Sequence, residues 1–165
     1  MRGLCGLKRA IAVVVLSAIS YTSFAQTLWR ENSYGMSLDE VKKANPAAIV
    51  PAKPAGLGTG AIGLLELPGV ELAGIPFTAR FFFIDGKLQQ VTLELGGGYT
   101  SAEVGLIHNQ LDAALTKKYG EHARRPWGNM LNTISWQPGH IGVTLFSMEL
   151  EGKAQLRVSY HPPKS

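Results

Sequence analysis

Residues Phe77 to Leu95 leave this chain little choice of fold. The runs FTARFFFI and KLQQVTLEL flank Asp85-Gly86. Asp-Gly between two β-prone runs calls for a tight hairpin, because that turn needs positive φ at its central positions. Phe77, Phe81 and Phe83 then share one face. Leu88 lies opposite Phe83, but Val91, Leu93 and Leu95 have the wrong parity to continue that face. The spacing therefore predicts a bulge near Gln89-Gln90 that returns them to it.

Two segments carry the signature of a capped helix. In Met36 to Val41 (MSLDEV), Ser37 can accept from the backbone N–H three residues on, and Glu40 can accept from the N–H of Ser37. Met36 and Val41 can close over the turn as a staple, and Asp39 and Glu40 suit the positive helix end. Asn45-Pro46 stops this helix early. Tyr99 to Val104 (YTSAEV) repeats the device with Thr100 as cap and Glu103 as its partner. The second helix runs further, because Val104, Ile107, Leu111, Ala114, Leu115 and Lys118 fall at three- and four-residue steps, the Lys stem able to snorkel. Tyr119-Gly120 ends it.

Between these helices, Pro46 to Gly60 is rich in Pro and Gly and reads as irregular. Ala61 to Leu67 reads as a strand ended by Pro68-Gly69. After the second helix, Leu131 to Gln137, His140 to Leu150 and Ala154 to Tyr160 read as strands joined by turns at Pro138-Gly139 and Glu151 to Lys153. Leu156, Val158 and Tyr160 alternate with Gln155, Arg157 and Ser159, as in a sheet with one covered and one wet face. The expected class is α+β: an antiparallel sheet with two helices packed on one face. The order α-β-β-β occurs twice, over pseudo-repeats 34–95 and 99–161.

The N-terminus has its own logic. Arg2, Lys8 and Arg9 precede the apolar run Ala10 to Ile19, and Ser23-Phe24-Ala25 offers small residues for a signal peptidase. The run is about half of the roughly 20 residues that a membrane-spanning helix needs. Residues 1–25 are thus expected to be a cleaved signal of the general secretory route, leaving 26–165 as one domain in the periplasm. Cys5 lies before the apolar run, where it cannot take a lipid, and it is the single cysteine of 165 residues. Cleavage removes three basic residues and no acidic one, so the net charge falls from +4 to +1. The basic balance belongs largely to the signal, which removes most of the case for a nucleic-acid partner.

The stretch Tyr34-Gly35-Met36-Ser37, with Val41 beyond it, resembles the Gly-Met-Ser/Thr helix start of the SmpA/OmlA outer-membrane assembly lipoproteins. Their fold is similar to that of the β-lactamase-inhibitor-protein group, in which helix-then-strand units lay a helical layer on an antiparallel sheet. The likeness covers residues 29–95 as a motif. Phe81 to Leu95 followed by a helix ending in Lys118-Tyr119-Gly120 also resembles small exported proteins of Gram-negative bacteria. The chain departs from the lipoproteins in having no Cys after its signal, and Asn45-Pro46 where they have Gly-x-Pro. The resemblance implies binding or inhibition rather than catalysis, and carries over no binding residue.

Gly56 to Gly60 (GLGTG) lacks the preceding strand, the following helix and the Gly-Lys-Ser/Thr ending of a phosphate loop, and reads as a loop. His108 and Asp112 share a helix face at metal-ligand spacing but read as solvated surface. His140 and His161 read as exposed loop residues. Asp85 and Glu151 have turn roles, while Glu94 and Glu149 suit a wet strand face. Trp29 and Trp136 read as packing residues. No nucleophile elbow occurs, so no catalytic residue, cofactor or metal is expected.

The segment HARRPW, with His122, Arg124, Arg125 and Trp127, combines the residue types that anchor protein interfaces. It is the expected partner-binding patch, although the same residues would also suit a Trp tucked against a sheet edge with solvated arginines. The leading expectation is a non-enzymatic periplasmic protein-binding module of envelope-assembly or inhibitor type. An immunity-type inhibitor of a secreted hydrolase and a small hydrolase or ligand-binding protein remain as alternatives.

Overall fold

The computed structural model describes residues 26–127 and 131–163, and the side chains of these except at 123–127 and 131. The expected signal, residues 1–25, lies outside the described residues. The chain opens with a two-stranded ribbon, β1 (Thr27–Trp29) and β2 (Asn32–Ser33), followed by α1 (Leu38–Ala44). Then come β3 (Ile62–Leu72), β4 (Ile75–Ile84) and β5 (Lys87–Leu95), and after α2 (Ser101–Tyr119) come β6 (Ala123–Trp127), β7 (Leu131–Trp136), β8 (Gly142–Leu150) and β9 (Lys153–His161). The large sheet is antiparallel throughout, in the order β3-β4-β5-β9-β8-β7-β6. No helix among the described residues is long and apolar enough to cross a membrane.

Both capping boxes form as the sequence requires. The Ser37 and Thr100 N–H groups each donate to a glutamate, Glu40 or Glu103, at 2.7 Å. The glutamate N–H returns a bond to the cap hydroxyl at 3.4 and 3.3 Å. These bonds to the cap backbone, and then to its hydroxyl, hold both carboxyls below the ordinary glutamate range. Asn45 ends α1, and Gly120 ends α2 with φ 86 and an extended ψ of −157.

The bulge also forms where parity demands it. Phe82 faces Gln90 while Phe83 faces Leu88, which leaves Gln89 as the extra residue. Phe77, Ala79, Phe81, Phe83, Leu88, Val91 and Leu93 therefore line one face. That face continues across the seam through Val158 and Tyr160, Val143 and Leu145, and Ile134 and Trp136. Val41 of α1 and Val104, Leu111 and Leu115 of α2 close over it. Trp29 meets Phe81 at a ring separation of 6.2 Å. Burying each such large apolar side chain contributes about 1.5–3 kcal/mol. Inside this core, burial and then Tyr119 push the Tyr160 phenol well above its usual range.

Four local expectations need correction. β3 does not stop at Pro68-Gly69 but runs on to Leu72, with the register shifted between Leu67 and Val70. An outer strand tolerates a proline there, because the missing N–H falls at a bulge. The hairpin turns instead at Ala73-Gly74, with φ 53 and 77. Residues 46–60 are not wholly irregular, since Ile49 bridges to Glu66 and Gly56 to Ile62 along the outer edge of β3. The connection carrying HARRPW contains strand β6, whose partner β7 lies ahead in the chain. The ribbon β1–β2 was also missed. Asn45 secures it: its side-chain N–H groups donate to Asn32 Oδ1 at 2.7 Å and Val41 O at 2.8 Å, and Asn32 donates to Trp29 O.

Candidate functional site

Of the expected patch, His122 is the residue whose side chain is described. His122 sits on the helix side of the sheet, with Nε2 3.0 Å from Asp112 Oδ1 and its ring edge-on to Trp136 at 5.4 Å. It braces α2 against β7. Asp112 thus serves His122, and His108, expected on a solvated surface beside Asp112, is buried. An amphipathic stripe fixes which residues share a face, but not how far that face sinks into the core. Arg124, Arg125 and Trp127 pair through their backbones with Ile134, Thr133 and Leu131. Their side chains lie outside the described residues.

The sheet face opposite the helices holds a more specific arrangement. Cross-strand register draws one row across it: Glu66, Arg80, Thr92, Ser159, Thr144 and Ser135. Arg80 Nη2 lies 3.5 Å from Glu66 and 3.4 Å from Glu94. Thr92 and Ser159 hydroxyls meet at 3.2 Å, and Thr144 meets His161 Nε2 at 3.2 Å. His161 is therefore not an exposed loop residue. It ends β9, its ring lying where any Cβ on Gly142 would have to sit.

The feature that stands out is a break of pattern on β8. Val143 and Leu145 belong to the core face. Phe146, Met148 and Leu150 take the opposite parity, yet the β8–β9 register runs without a shift from Gly142↔His161 to Leu150↔Lys153. No bulge returns them to the core, so three large apolar residues lie on the wet face. Opposite them on β9 stand Arg157, Gln155 and Lys153. The Arg157 guanidinium covers the Phe146 ring at 4.3 Å. Glu94, its neighbour across the β5–β9 seam, pairs instead with Arg80. Among the described residues, neither Arg157 nor Lys153 enters a salt bridge.

This ribbon borders a groove. β5 and β9 pair only from Val91↔Tyr160 to Glu94↔Arg157. Beyond that they part, and Leu95 to Tyr99 face Gly152 to Leu156 across an opening of about 570 Å³. Comparison with protein-family models, curated proteins and solved structures finds no match to this chain. The reading of the site rests on its own geometry.

That geometry suits adhesion to a macromolecule. An apolar stripe of Phe, Met and Leu, flanked by an arginine stacked on the aromatic ring, has the composition of an interface centre. Sequence reasoning noted the wet parity of Arg157 but missed Phe146. The signal was available: VTLFSMEL places apolar residues on both parities within one strand, with no turn or glycine between them.

Proposed function

We propose that this chain is a non-enzymatic binding protein of the bacterial cell envelope, exported by residues 1–25, that holds a protein partner against the helix-free face of its sheet. The observation that carries the reading is the apolar stripe Phe146-Met148-Leu150 beside Arg157 on a continuously paired hairpin. A rigid hairpin presents such groups at little cost in conformational entropy, which is what an interface needs. The likeness of Tyr34 to Ser37 to the SmpA/OmlA helix start agrees with an envelope-assembly or inhibitor role. β6 lies two strands from β8, with Arg125 and Trp127 in register with Phe146 and Met148, and would extend the contact.

Crosslinking in intact cells, with a photoreactive residue at Phe146, tests this reading. The expected result is one specific envelope protein, lost in Arg157→Ala and reduced in Arg125→Ala. The same crosslink yield from a photoreactive residue at exposed Leu106 on α2 as from Phe146 would overturn it.

A further inference from the structure

We propose that the groove between β5 and β9 takes an extended acidic segment of the partner, which adds as a strand to the open edge of β9. The proposal rests on the binding reading above and names what part of the partner is held, and how.

The first argument is the hydrogen-bonding edge. β9 is paired with β8 along its whole length, from Lys153 to His161. On its other side it is paired with β5 only from Arg157 to Tyr160. Residues Lys153 to Leu156 therefore keep strand geometry with one edge not taken up by β5. Alternate backbone N–H and C=O groups along such an edge point outward and form a template for another strand. Four residues span roughly 13 Å at strand rise, enough for a short extended peptide and too little for a domain.

The second argument is the opposite wall. Gly96, Gly97 and Gly98 carry the chain away from β5 toward α2, and a Cβ added at any of them would meet nothing within 4 Å. The wall is bare backbone facing open space, so an incoming main chain can approach it closely. Strand addition needs this kind of site, since most of its affinity comes from main-chain bonds.

The third argument is charge, and it selects the occupant. Lys153 and Arg157 are four residues apart on one strand, so they stand on the same face at the two ends of the open edge. Glu94, the carboxylate closest in register, is already bound to Arg80 at 3.4 Å. Glu94 of β5 already stands opposite Arg157, so a strand laid beside Lys153 to Leu156 would set two of its own side chains, two residues apart, opposite Lys153 and Gln155, the second of them diagonal to Arg157. Opposite charges at such cross-strand positions are favourable and like charges are not. The preferred segment is acidic-x-acidic, with apolar residues on the other parity, toward Leu95 and Leu156.

The test uses the isotope-labelled protein expressed from its full chain and a blocked peptide, Thr-Val-Glu-Val-Glu-Val-Thr. Amide NMR should show shifts and slowed exchange at Ala154 to Leu156 and at Gly96 to Gly98. A peptide with Lys in place of both Glu should bind roughly fivefold to tenfold more weakly. Lys153→Glu/Arg157→Glu should reverse that order. A peptide N-methylated at alternate amides keeps its charge but loses its donors, and should not bind. Equal binding of the methylated peptide, or shifts spread over the sheet face with none at Gly96 to Gly98, would overturn strand addition. So would no binding of the acidic peptide at millimolar concentration. If the peptide fails while the Phe146 crosslink persists, the groove proposal falls and the binding face stands; if only the crosslink fails, the reverse holds.

Discussion

The two halves of the molecule share one plan and use it differently. In the first, α1 precedes β3, β4 and β5; in the second, α2 precedes β6 to β9. Residues 46–60 run along the outer edge of β3 by isolated bridges, in the place where β6 runs along β7 as a full strand. The first half is bent, with shifts of register in both of its strand pairs. The second keeps continuous register in all of its described pairs. The bulge at Gln89 turns Val91 and Leu93 onto the face that Phe77, Phe81 and Phe83 share by alternation. The straight β8 leaves Phe146, Met148 and Leu150 off the core face, the first two half-buried and Leu150 exposed. On the wet face the first half places Arg80 between two carboxylates, whereas in the second half Arg157 lies on an aromatic ring. The difference teaches a division of labour: one half closes the core, and the other is rigid enough to leave sticky groups outside.

The sharpest way to break this contrast is to truncate one phenylalanine in each half. Phe81 is fully buried, so Phe81→Ala should cost about 3–5 kcal/mol in urea unfolding. Phe146→Ala loses a half-buried ring and its guanidinium contact, and should cost under about 1 kcal/mol while abolishing the partner crosslink from a photoreactive residue placed at Met148. Equal losses of stability would mean that β8 belongs to the core after all.

A second, smaller effect compares the clamps that fasten each helix. Asn45→Ala removes the donor from buried Asn32 Oδ1 and one of two bonds to the Val41 carbonyl, which keeps the backbone N–H of residue 45, for about 1–3 kcal/mol. Asp112→Asn in the second half keeps a side-chain oxygen for His122, on a partly exposed pair, and should cost under about 1 kcal/mol. A double-mutant cycle between Asn32→Ala and Asn45→Ala should show coupling, because the two share one bond. Additive effects would remove the clamp from the comparison.

What was legible in the sequence was local. Asp85-Gly86 announces its own turn, the two capping boxes close within four residues, and the bulge at Gln89 follows from counting parity. What was missed depends on distant partners. Pro68-Gly69 ends a strand by local rules, but β4 holds β3 through it to Leu72. Arg124-Arg125-Pro126 has no strand alternation, and β6 exists because β7 supplies hydrogen bonds. The seam β5–β9 joins residues more than sixty positions apart, and no local pattern names it. The candidate site divides in the same way. The alternation around Arg157 showed a wet face, but its meeting with Phe146, and the opening beside Gly96 to Gly98, come from register alone. His122 was singled out as free because nothing in HARRPW points to Asp112, ten residues back on a helix.

The smallest predicted effect separates the two capping boxes. Glu40 and Glu103 both titrate below their ordinary value of 4.5 in the folded chain. A carboxylate with a lowered folded pKa stabilises above the unfolded value, and that contribution fades as pH falls through the folded one. Glu40→Gln/Glu103→Gln keeps the side-chain oxygen that accepts from the cap but removes the titration, so its thermal midpoint should fall less between pH 5 and pH 3 than that of the parent. The halves should differ in salt. Lys87 adds to the lowering at Glu40, while both favourable causes at Glu103 are bonds to Thr100. Screening weakens an exposed coulombic pair more than a hydrogen bond in contact. Added salt should therefore raise the measured carboxyl pKa of Glu40 more than that of Glu103. Parallel shifts would show that both boxes rest on their caps alone, and that Lys87 does not distinguish the first half.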